Sequence, residues 1–302
     1  MLWLALQFPH LGLEVWDQGR AAAEGAARPT VLIEQNRVVL CDESARMAGI
    51  QPGASLATAH SIASALVHFQ RDAARERSRL MFLGQALYRF SAQVSLEAPD
   101  ALLLEVGGSR ALFGDPAGLA RQASTLCHSL GHETRWQLAA TPGAALAMAT
   151  SGAKRLEEVP LADARLPDAH RHLERLANMG LNSLGALLEL PDAELGRRFG
   201  KALVGHLARL VGREPEPRRF IEPASLFDQS IHLLEPLKDR EMLLADRGPM
   251  QHLLVDLEHW LISRQLGAEQ LTWSFSSHAG DDRVVVPVSF ARALQSHKAF
   301  LN

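Results

Sequence analysis

The sequence predicts an α+β protein made of more than one domain. The chain has 302 residues, which is too long for one ordinary hydrophobic core. Strand-like and helix-like patterns alternate as far as about residue 160. Beyond that point, short helical segments separated by glycine or proline continue to about residue 215. This order indicates a mixed domain followed by a separate helical one.

The composition excludes several classes of protein. A charged fraction of 22% excludes wholesale disorder, and a net charge of −3 means that any contact with nucleic acid must come from a local basic face. Cys41 and Cys127 are far apart and form no CxxC pattern, so neither a disulfide framework nor a zinc site is expected. No apolar run reaches the roughly 18 residues that span a bilayer. We therefore expect a cytoplasmic protein.

The first 100 residues alternate between strand and helix signals. Leu2 to Phe8 form a buried strand, and the runs TVLIE and RVVLC predict a β-hairpin that turns at Gln35-Asn36. Apolar residues at 3-to-4 spacing also predict a long helix before the next strand. The predicted helices are Glu43 to Ala48, Ser55 to Leu66, and Ala73 to Val94.

The next sixty residues repeat the alternation. Leu102 to Val106 predict a strand, and Asp115-Pro116 predicts a helix start with an aspartate N-cap and a proline in the first turn. The run TRWQLAA predicts another strand, and Thr141-Pro142 opens a helix made almost wholly of alanine.

The last 90 residues predict a linker and a further β-rich region. Prolines between Gly212 and Ser225 indicate a linker. Beyond it we expect an amphipathic helix (Glu241 to Gln265) and a last helix from Ala291. No final strand follows this helix, so the order of elements is incomplete. We therefore infer that the natural protein continues or that this copy is truncated. The predicted strands are Phe227 to Leu234, Gln270 to Ser276 and Arg283 to Phe290, the last two joined by a turn at residues 278–282.

Four segments carry a resemblance to a known family: LALQFPHLGLEVW, ESARMAGIQPGASLATA, PDALLLEVGGSRALFG and LANMGLNSLGALLELP. In their order the chain resembles the Y-family, lesion-bypass DNA polymerases, and within them the ImuB branch of bacterial mutagenesis cassettes. The resemblance implies a ferredoxin-like palm, small fingers, a helix-hairpin-helix thumb and an incomplete little finger. The implied ranges are palm 1–20 and 72–160, fingers 21–71, thumb 161–215, linker 216–223 and little finger 224–302.

The resemblance also implies that most catalytic carboxylates are missing. Two-metal nucleotidyl transfer needs clustered acids, one on the first palm strand and an Asp-Glu pair before the later strand ALLLEV. Ala5 stands at the first of these positions, and Asp100 and Ala101 stand at the pair. In the first strand, Ala5 and Gln7 both stand where a metal-binding acid is needed, and neither is an acid. Asp100 is therefore vestigial, and no catalytic or metal site is expected.

The resemblance places the triphosphate grip at three positions of the fingers and palm. Active members use a tyrosine, an arginine and a lysine there. This chain has Glu43, Arg46 and Met148 at the matching positions. Glu43 repels a triphosphate and Met148 forms no ion pair with it, so only Arg46 fits, as a vestigial nucleotide-binding residue or as a surface charge.

The thumb is expected to bind DNA through its second helix-hairpin-helix turn. Met179-Gly180-Leu181 keeps the glycine that exposes backbone amides to phosphate, whereas the first turn has Pro167-Asp168-Ala169-His170. The candidate phosphate contacts are Gly180, Arg197, Arg198 and Lys201, with Arg209 and Arg213 nearby. A charged helical surface without a ligand is the alternative interpretation of these basic residues.

Three functions remain open at the level of sequence. The first is a non-catalytic adaptor in translesion synthesis and damage-induced (SOS) mutagenesis, which binds damaged or primed DNA weakly. By resemblance its partners are the sliding clamp, an ImuA-like RecA-related protein and an error-prone C-family polymerase, bound through a region beyond this chain. The second is a weakly active polymerase that uses Mg²⁺ at Asp100 with Glu97 or Glu14. The third is a truncated product without a stable role.

Overall fold

The computed structural model describes residues 1–17, 28–109, 113–233, 240–245, 248–276 and 283–301, which form two compact units, residues 1–223 and residues 224–301. No described helix is long and apolar enough to cross a membrane. The strands are β1 (Trp3–Gln7), β2 (Thr30–Glu34), β3 (Arg37–Cys41), β4 (Val67–Gln70), β5 (Val94–Glu97), β6 (Ala101–Glu105), β7 (Arg135–Ala139), β8 (Ala268–Ser276) and β9 (Arg283–Leu294). The helices are α1 (Leu11–Asp17), α2 (Glu43–Met47), α3 (Leu56–Ile62), α4 (Ala73–Ala86), α5 (Pro116–Ser129), α6 (Pro142–Ser151), α7 (Ala169–Asn178), α8 (Leu184–Leu188), α9 (Asp192–Phe199), α10 (Lys201–Leu210), α11 (Arg240–Leu244), α12 (Pro249–Arg264) and α13 (His297–Leu301).

An antiparallel sheet forms the base of the first unit. Its four strands lie in the order β5-β6-β1-β7, so β1 and β6 are the central pair. Along the chain these strands alternate with α4 and α5 in the order β-α-β-β-α-β. This order and connectivity are those of a ferredoxin-like domain, and the predicted α+β fold class is confirmed.

Both faces of this sheet are buried. Ala5, Ala101 and Leu103 form an apolar cluster with Ala145 and Leu146 of α6. Because side chains alternate along a strand, their neighbours point to the opposite face, where α4 lies against β5 and β6. Burial on two faces explains why β1 and β6 read as nearly continuous apolar runs instead of alternating ones.

A small three-stranded sheet with the order β3-β2-β4 is inserted between α1 and α4. The predicted hairpin between β2 and β3 is confirmed. Its two turn residues, Gln35 and Asn36, have φ values of 48° and 63°, which suit the twist of a two-residue hairpin. The third strand, β4, runs parallel to β2 and was not predicted.

The long helix predicted from Ala73 to Val94 is shorter in the structure. It ends at Ala86, a 3-10 turn covers Leu87–Arg89, and Val94 begins strand β5. The apolar spacing fits a helix throughout, but pairing of Val94 with Leu104 on β6 decides the conformation of this segment. The predicted helix caps are confirmed, since the side chains of Asp115 and Thr141 accept backbone hydrogen bonds at the starts of α5 and α6.

Helices α7 to α10 form a helical region, and the contacts place it in the same compact unit as the sheets. Its core includes Ala147 and Met148 of α6, so the helical region packs directly onto the α/β part of the first unit. Its buried leucines are Leu161, Leu166, Leu176, Leu184, Leu187, Leu195, Leu203, Leu207 and Leu210.

The proline-rich segment predicted as a linker lies along the sheet. The backbone N–H of Ile221 donates to the carbonyl of Val94 on the edge strand β5, at 2.8 Å. Phe220 stacks on Trp3 with ring centroids 6.4 Å apart, and Arg218 forms an ion pair with Glu97. These contacts fasten the segment to the first unit up to the point where the second unit begins.

The second unit contains α11, α12, the antiparallel pair β8 and β9, and α13. The strand predicted from Phe227 is absent over residues 227–233, where Phe227 instead packs its ring against Trp260 of α12. Leu234 and the predicted turn at residues 278–282 lie outside the described residues. The helix expected from Ala291 begins at His297, because β9 stays paired with β8 as far as Leu294.

Candidate functional site

The ends of β1 and β6 meet at Asp100. Gln7, the last residue of β1, lies opposite Ala101, the first residue of β6. The Gln7 amide nitrogen Nε2 donates to Oδ2 of Asp100 at 2.9 Å, and the backbone N–H of Phe8 donates to the Asp100 carbonyl at 2.8 Å. The two strand ends are therefore held together through both the side chain and the backbone of Asp100.

The second carboxylate oxygen of Asp100 is bound by a cation from the chain itself. The Arg165 guanidinium forms an ion pair with Oδ1 of Asp100, and its Nη1 lies 3.4 Å from the carbonyl oxygen of Ala98. The side chains of Asp100 and Arg165 are 29% and 26% exposed, so water screens the pair only in part. Arg165 precedes α7 by four residues and belongs to the predicted thumb.

The structure corrects the position of the first lost carboxylate. Ala5 lies opposite Leu103, two residues deeper in the strand than Gln7, and is fully buried. Two residues along a strand span roughly 7 Å, so a side chain at position 5 lies well away from Asp100. The residue of β1 beside Asp100 is therefore Gln7. Ala101 is fully buried at the same strand end, as expected for a neighbour of Asp100.

Other acids of the palm are bonded elsewhere. Glu97 forms an ion pair with Arg218, Glu14 is bonded to His132, and Glu105 accepts from the backbone N–H groups of Leu2 and Gly107. Within the described ranges, no three or more histidine, cysteine, aspartate or glutamate side chains gather closely enough to hold a metal ion. The acids named for an altered metal site, Glu97 and Glu14, are thus bonded to other partners than Asp100.

The three residues at the expected triphosphate grip do not form one site. Arg46 donates from Nη2 to the Cys41 carbonyl at 2.9 Å and lies 3.3 Å from Glu43, whose side chain is 77% exposed. Met148 is only 7% exposed and belongs to the core between α6 and the helical region. A side chain at position 148 faces that core, so Met148 is not on a surface that a nucleotide reaches.

A buried polar network in the palm was missed by sequence reasoning. The Nε of Arg79 donates to Nε2 of His132 at 2.8 Å, so Nδ1 of His132 carries a proton and donates to Glu14, also at 2.8 Å. The backbone N–H of Glu133 donates to the same carboxylate. Burial raises the pKa of Glu14 to about 7, although the backbone hydrogen bond from Glu133 lowers it. No local pattern marks the network, because 118 positions separate Glu14 from His132.

The predicted thumb turn is exposed. Gly180 lies between α7 and α8 with a φ of 79°, a conformation that other residues rarely adopt. In the first turn, Asp168 has a φ of 49° and precedes α7. The glycine of the second turn is thus required by its backbone, which agrees with the expected hairpin geometry and is independent of any ligand.

Three of the predicted basic residues are exposed. Arg197 and Arg198 lie in the last turn of α9, and Lys201 is the first residue of α10. No ion pair of the described part of the chain involves them. By contrast, Arg209 lies 3.7 Å from Glu214, and Arg213 forms an ion pair with Asp192 at 2.7 Å.

The α7 helix holds this basic turn in place. Arg175 donates from Nη2 to the carbonyl of Arg198 at 3.2 Å, and its guanidinium lies 4.9 Å from the centre of the Phe199 ring. Arg175 is five residues before Gly180, so the structure brings the basic turn to the same end of α7 as the exposed glycine. Gly180, Arg197, Arg198 and Lys201 thus form one candidate surface, which we call the thumb basic surface.

Comparison with known sequences gives two matches. Residues 21–156 match the model of the impB/mucB/samB family. The protein named ImuB from two strains of Caulobacter vibrioides is 31% identical over an alignment of 206 residues. The match covers 65% of this chain and 44% of ImuB. The chain therefore matches under half the length of these curated relatives.

Comparison with solved structures extends to the whole chain. A Dbh ternary complex matches with a TM-score of 0.56 at 15% sequence identity. The match covers 100% of this chain and 91% of the Dbh chain. The crystal structure of DinB from Sulfolobus solfataricus has a TM-score of 0.55 at 14% identity, over 97% of this chain and 89% of its own. The predicted resemblance to Y-family polymerases and to ImuB is therefore confirmed, and the fold is that of a Y-family polymerase.

Proposed function

We propose that this chain, which resembles the Y-family polymerases in fold and ImuB in sequence, is a polymerase-like DNA-binding protein that does not catalyse nucleotidyl transfer. In this proposal it acts as an adaptor in translesion synthesis and damage-induced mutagenesis. It binds primed or damaged DNA weakly and bridges an error-prone C-family polymerase to the sliding clamp, together with an ImuA-like protein.

The observation that carries the proposal is the set of partners that the Asp100 carboxylate has within the chain. Among the described residues at the facing ends of β1 and β6, Asp100 is the one carboxylate at the three positions where the resemblance implies acids. Its two oxygens bind Gln7 and Arg165. Two metal ions at an attacking and a leaving oxygen need several carboxylate ligands around them. A glutamine and a fully buried alanine beside one ion-paired aspartate do not supply that set.

The thumb basic surface supports the DNA-binding part of the proposal. The whole chain has a net charge of −3, so a polyanion is attracted only where basic residues gather without acidic partners. Arg197, Arg198 and Lys201 meet that condition, next to an exposed backbone turn at Gly180. Contacts of this kind are made to phosphate, so they bind DNA without sequence preference.

The test combines primer extension with DNA binding in one preparation. The protein is incubated with a primed template and all four nucleotides, first in Mg²⁺ and then in Mn²⁺, and binding to the same template is measured by fluorescence anisotropy. We expect binding without extension. Extension by the wild-type chain that is lost in Asp100→Ala would instead establish the weakly active polymerase.

The adaptor part needs a separate experiment, with the protein purified as it is made in its own cells. Purified sliding clamp, ImuA-like protein and C-family polymerase are each tested for association by analytical size-exclusion chromatography. We expect at least the clamp and the polymerase to co-elute with the protein. Failure of all three to associate would contradict the adaptor role and leave a DNA-binding protein without these partners.

A further inference from the structure

We propose that Arg165 is a built-in cation that takes the place of a metal ion beside Asp100 and clasps the start of the thumb to the end of the palm sheet. This inference deepens the proposed function at the same strand ends and rests on it. It assigns Arg165, which the sequence did not single out, as the residue that converts a former catalytic position into a structural joint. We call the contact of Gln7, Asp100 and Arg165 the clasp.

The charges of the clasp balance without a metal ion. A cluster of carboxylates needs added positive charge, because like charges at close range repel. Here Gln7 is neutral and donates a hydrogen bond to Asp100, and the guanidinium of Arg165 supplies one positive charge. One negative and one positive charge remain, joined by the charge-assisted geometry that guanidinium and carboxylate groups favour.

The backbone around Arg165 is fixed for this contact. Ala164 and Leu166, on either side of it, are 1% and 5% exposed and belong to the core of the helical region. The carbonyl of Ala164 also lies 3.1 Å from Nε2 of His206. Arg165 itself has a φ of 49°, a conformation that a non-glycine residue keeps only where its surroundings enforce it. That arrangement leaves its side chain outside the core and in contact with Asp100.

The clasp joins segments that are distant in sequence. Arg165 and Asp100 are 65 positions apart, and Gln7 and Asp100 are 93 apart. The pair therefore links β1, the start of β6 and the first residues of the thumb at one point. A polar link at this place fixes the thumb relative to the sheet through directional, charge-assisted hydrogen bonds, which the non-directional burial of apolar surface does not supply.

A double-mutant cycle measures the clasp. Asp100→Ala, Arg165→Ala and the double variant are unfolded in urea as full chains, and the transition of the first unit is followed. We expect the effects on the unfolding equilibrium constant to be coupled by about tenfold, because both groups are less than one-third exposed. The matched control is the Asp192–Arg213 pair of the thumb, which is half-exposed and should couple by less than about threefold. Coupling at the clasp no larger than at the control overturns the proposal.

Metal binding tests the claim that Arg165 stands in for an ion. Mn²⁺ alone is added to the full chain, and its binding is followed by water-proton relaxation. The wild type and Arg165→Lys should show no binding that depends on Asp100, whereas Arg165→Ala should gain a weak site, with a dissociation constant on the order of millimolar, that Asp100→Ala removes. Binding of Mn²⁺ at Asp100 in the wild type, or no gain in Arg165→Ala, overturns the proposal.

These results are separable from the test of the proposed function. A clasp that shows no coupling, in a protein that still fails to extend a primer, overturns the clasp and leaves the non-catalytic assignment standing. Primer extension by the wild type overturns the proposed function itself, whatever the coupling between Asp100 and Arg165.

Discussion

The palm and the thumb differ in whether their charged residues have partners within the chain. In the palm, Asp100 is paired with Arg165, and Glu14 is bonded to His132 in a network that also holds Arg79. On the outward side of the thumb, Arg197 and Arg198 are exposed and make no ion pair in the described part of the chain. Charges that are partnered inside the molecule act on its stability, in either direction, whereas exposed charges of one sign are available to a partner.

This difference separates two kinds of effect. Substitutions in the palm should change the stability of the first unit and leave DNA affinity nearly unchanged. Substitutions at the thumb basic surface should do the reverse. A retained polymerase active site would break this division, because palm carboxylates would then act on a bound substrate.

The largest expected effect is the pH dependence caused by Glu14. Its pKa is raised from 4.5 to about 7 in the folded state, chiefly by burial. The folded chain therefore holds this proton more tightly than the unfolded chain, and the resulting stability is fully present below pH 4.5 and lost as the pH rises through about 7. We expect this group to contribute a fall of about 3 kcal/mol in the free energy of unfolding across that window.

Urea unfolding of the wild type and of Glu14→Gln at several pH values measures this contribution. The variant cannot titrate at position 14, so its curve should be flatter between pH 4.5 and 7. The control is Glu43→Gln, an exposed carboxylate outside this network (77% exposed), which should leave the shape of the curve unchanged. Parallel curves for the wild type and Glu14→Gln would show that the network keeps Glu14 ionised throughout.

The next largest effect concerns the side of the thumb that faces the palm. A Cβ added at Gly185 would lie 2.9 Å from the carbonyl oxygen of Glu157, and backbone moves less easily than a side chain. We expect Gly185→Ala to lower the free energy of unfolding by about 2 kcal/mol. The matched control is Gly196→Ala in α9, where the nearest atom is an ordinary 3.7 Å away. Helix propensity should make that variant more stable by up to about 1 kcal/mol.

Thermal unfolding of both glycine variants gives the comparison. A Gly185→Ala protein that is as stable as the wild type would mean that α8 and the turn at Glu157 separate easily. In that case the thumb would be attached to the palm less tightly than its core indicates.

The thumb basic surface predicts a loss of DNA affinity without a loss of stability. Arg197→Ala combined with Arg198→Ala should weaken binding about tenfold for all sequences alike and lower the salt slope by about 2, because two phosphate contacts are removed. Fluorescence anisotropy at several salt concentrations measures both quantities. The control is Arg209→Ala with Arg213→Ala, which removes two arginines that already have acidic partners. Equal losses in the two double variants would assign binding to overall charge and not to this surface.

The smallest expected effect is on stability at Arg213. Its ion pair with Asp192 is short, but the two side chains are 51% and 47% exposed. Water and salt screen such a pair, so Arg213→Ala should leave the free energy of unfolding nearly unchanged. A clear loss of stability in urea unfolding would show that exposed pairs of the thumb also carry stability, and would weaken the contrast with the palm.

Much of the fold and part of the candidate site could be predicted without coordinates. The turn at Gln35-Asn36, the caps at Asp115 and Thr141, and the helical region were read from short-range signals. The fold class was inferred from a resemblance that four short segments carry. The same segments placed Asp100 and Ala101 at the two positions of the acidic pair. The predictions of a strand over residues 227–233 and of a helix that continues to Val94 were wrong. Apolar spacing alone does not show whether a neighbouring strand is available for pairing.

The sequence by itself determined the backbone turns, the helix starts and the near-absence of carboxylates at the palm strand ends, since these depend on residues a few positions apart. Only the tertiary structure decided that Val94 is a strand residue, that Gln7 and not Ala5 lies beside Asp100, and that Arg165 neutralises that aspartate. The physical reason is distance along the chain. Strand pairing and ion pairs join residues that lie 10 to more than 90 positions apart, and each partner is chosen by packing that no local pattern records.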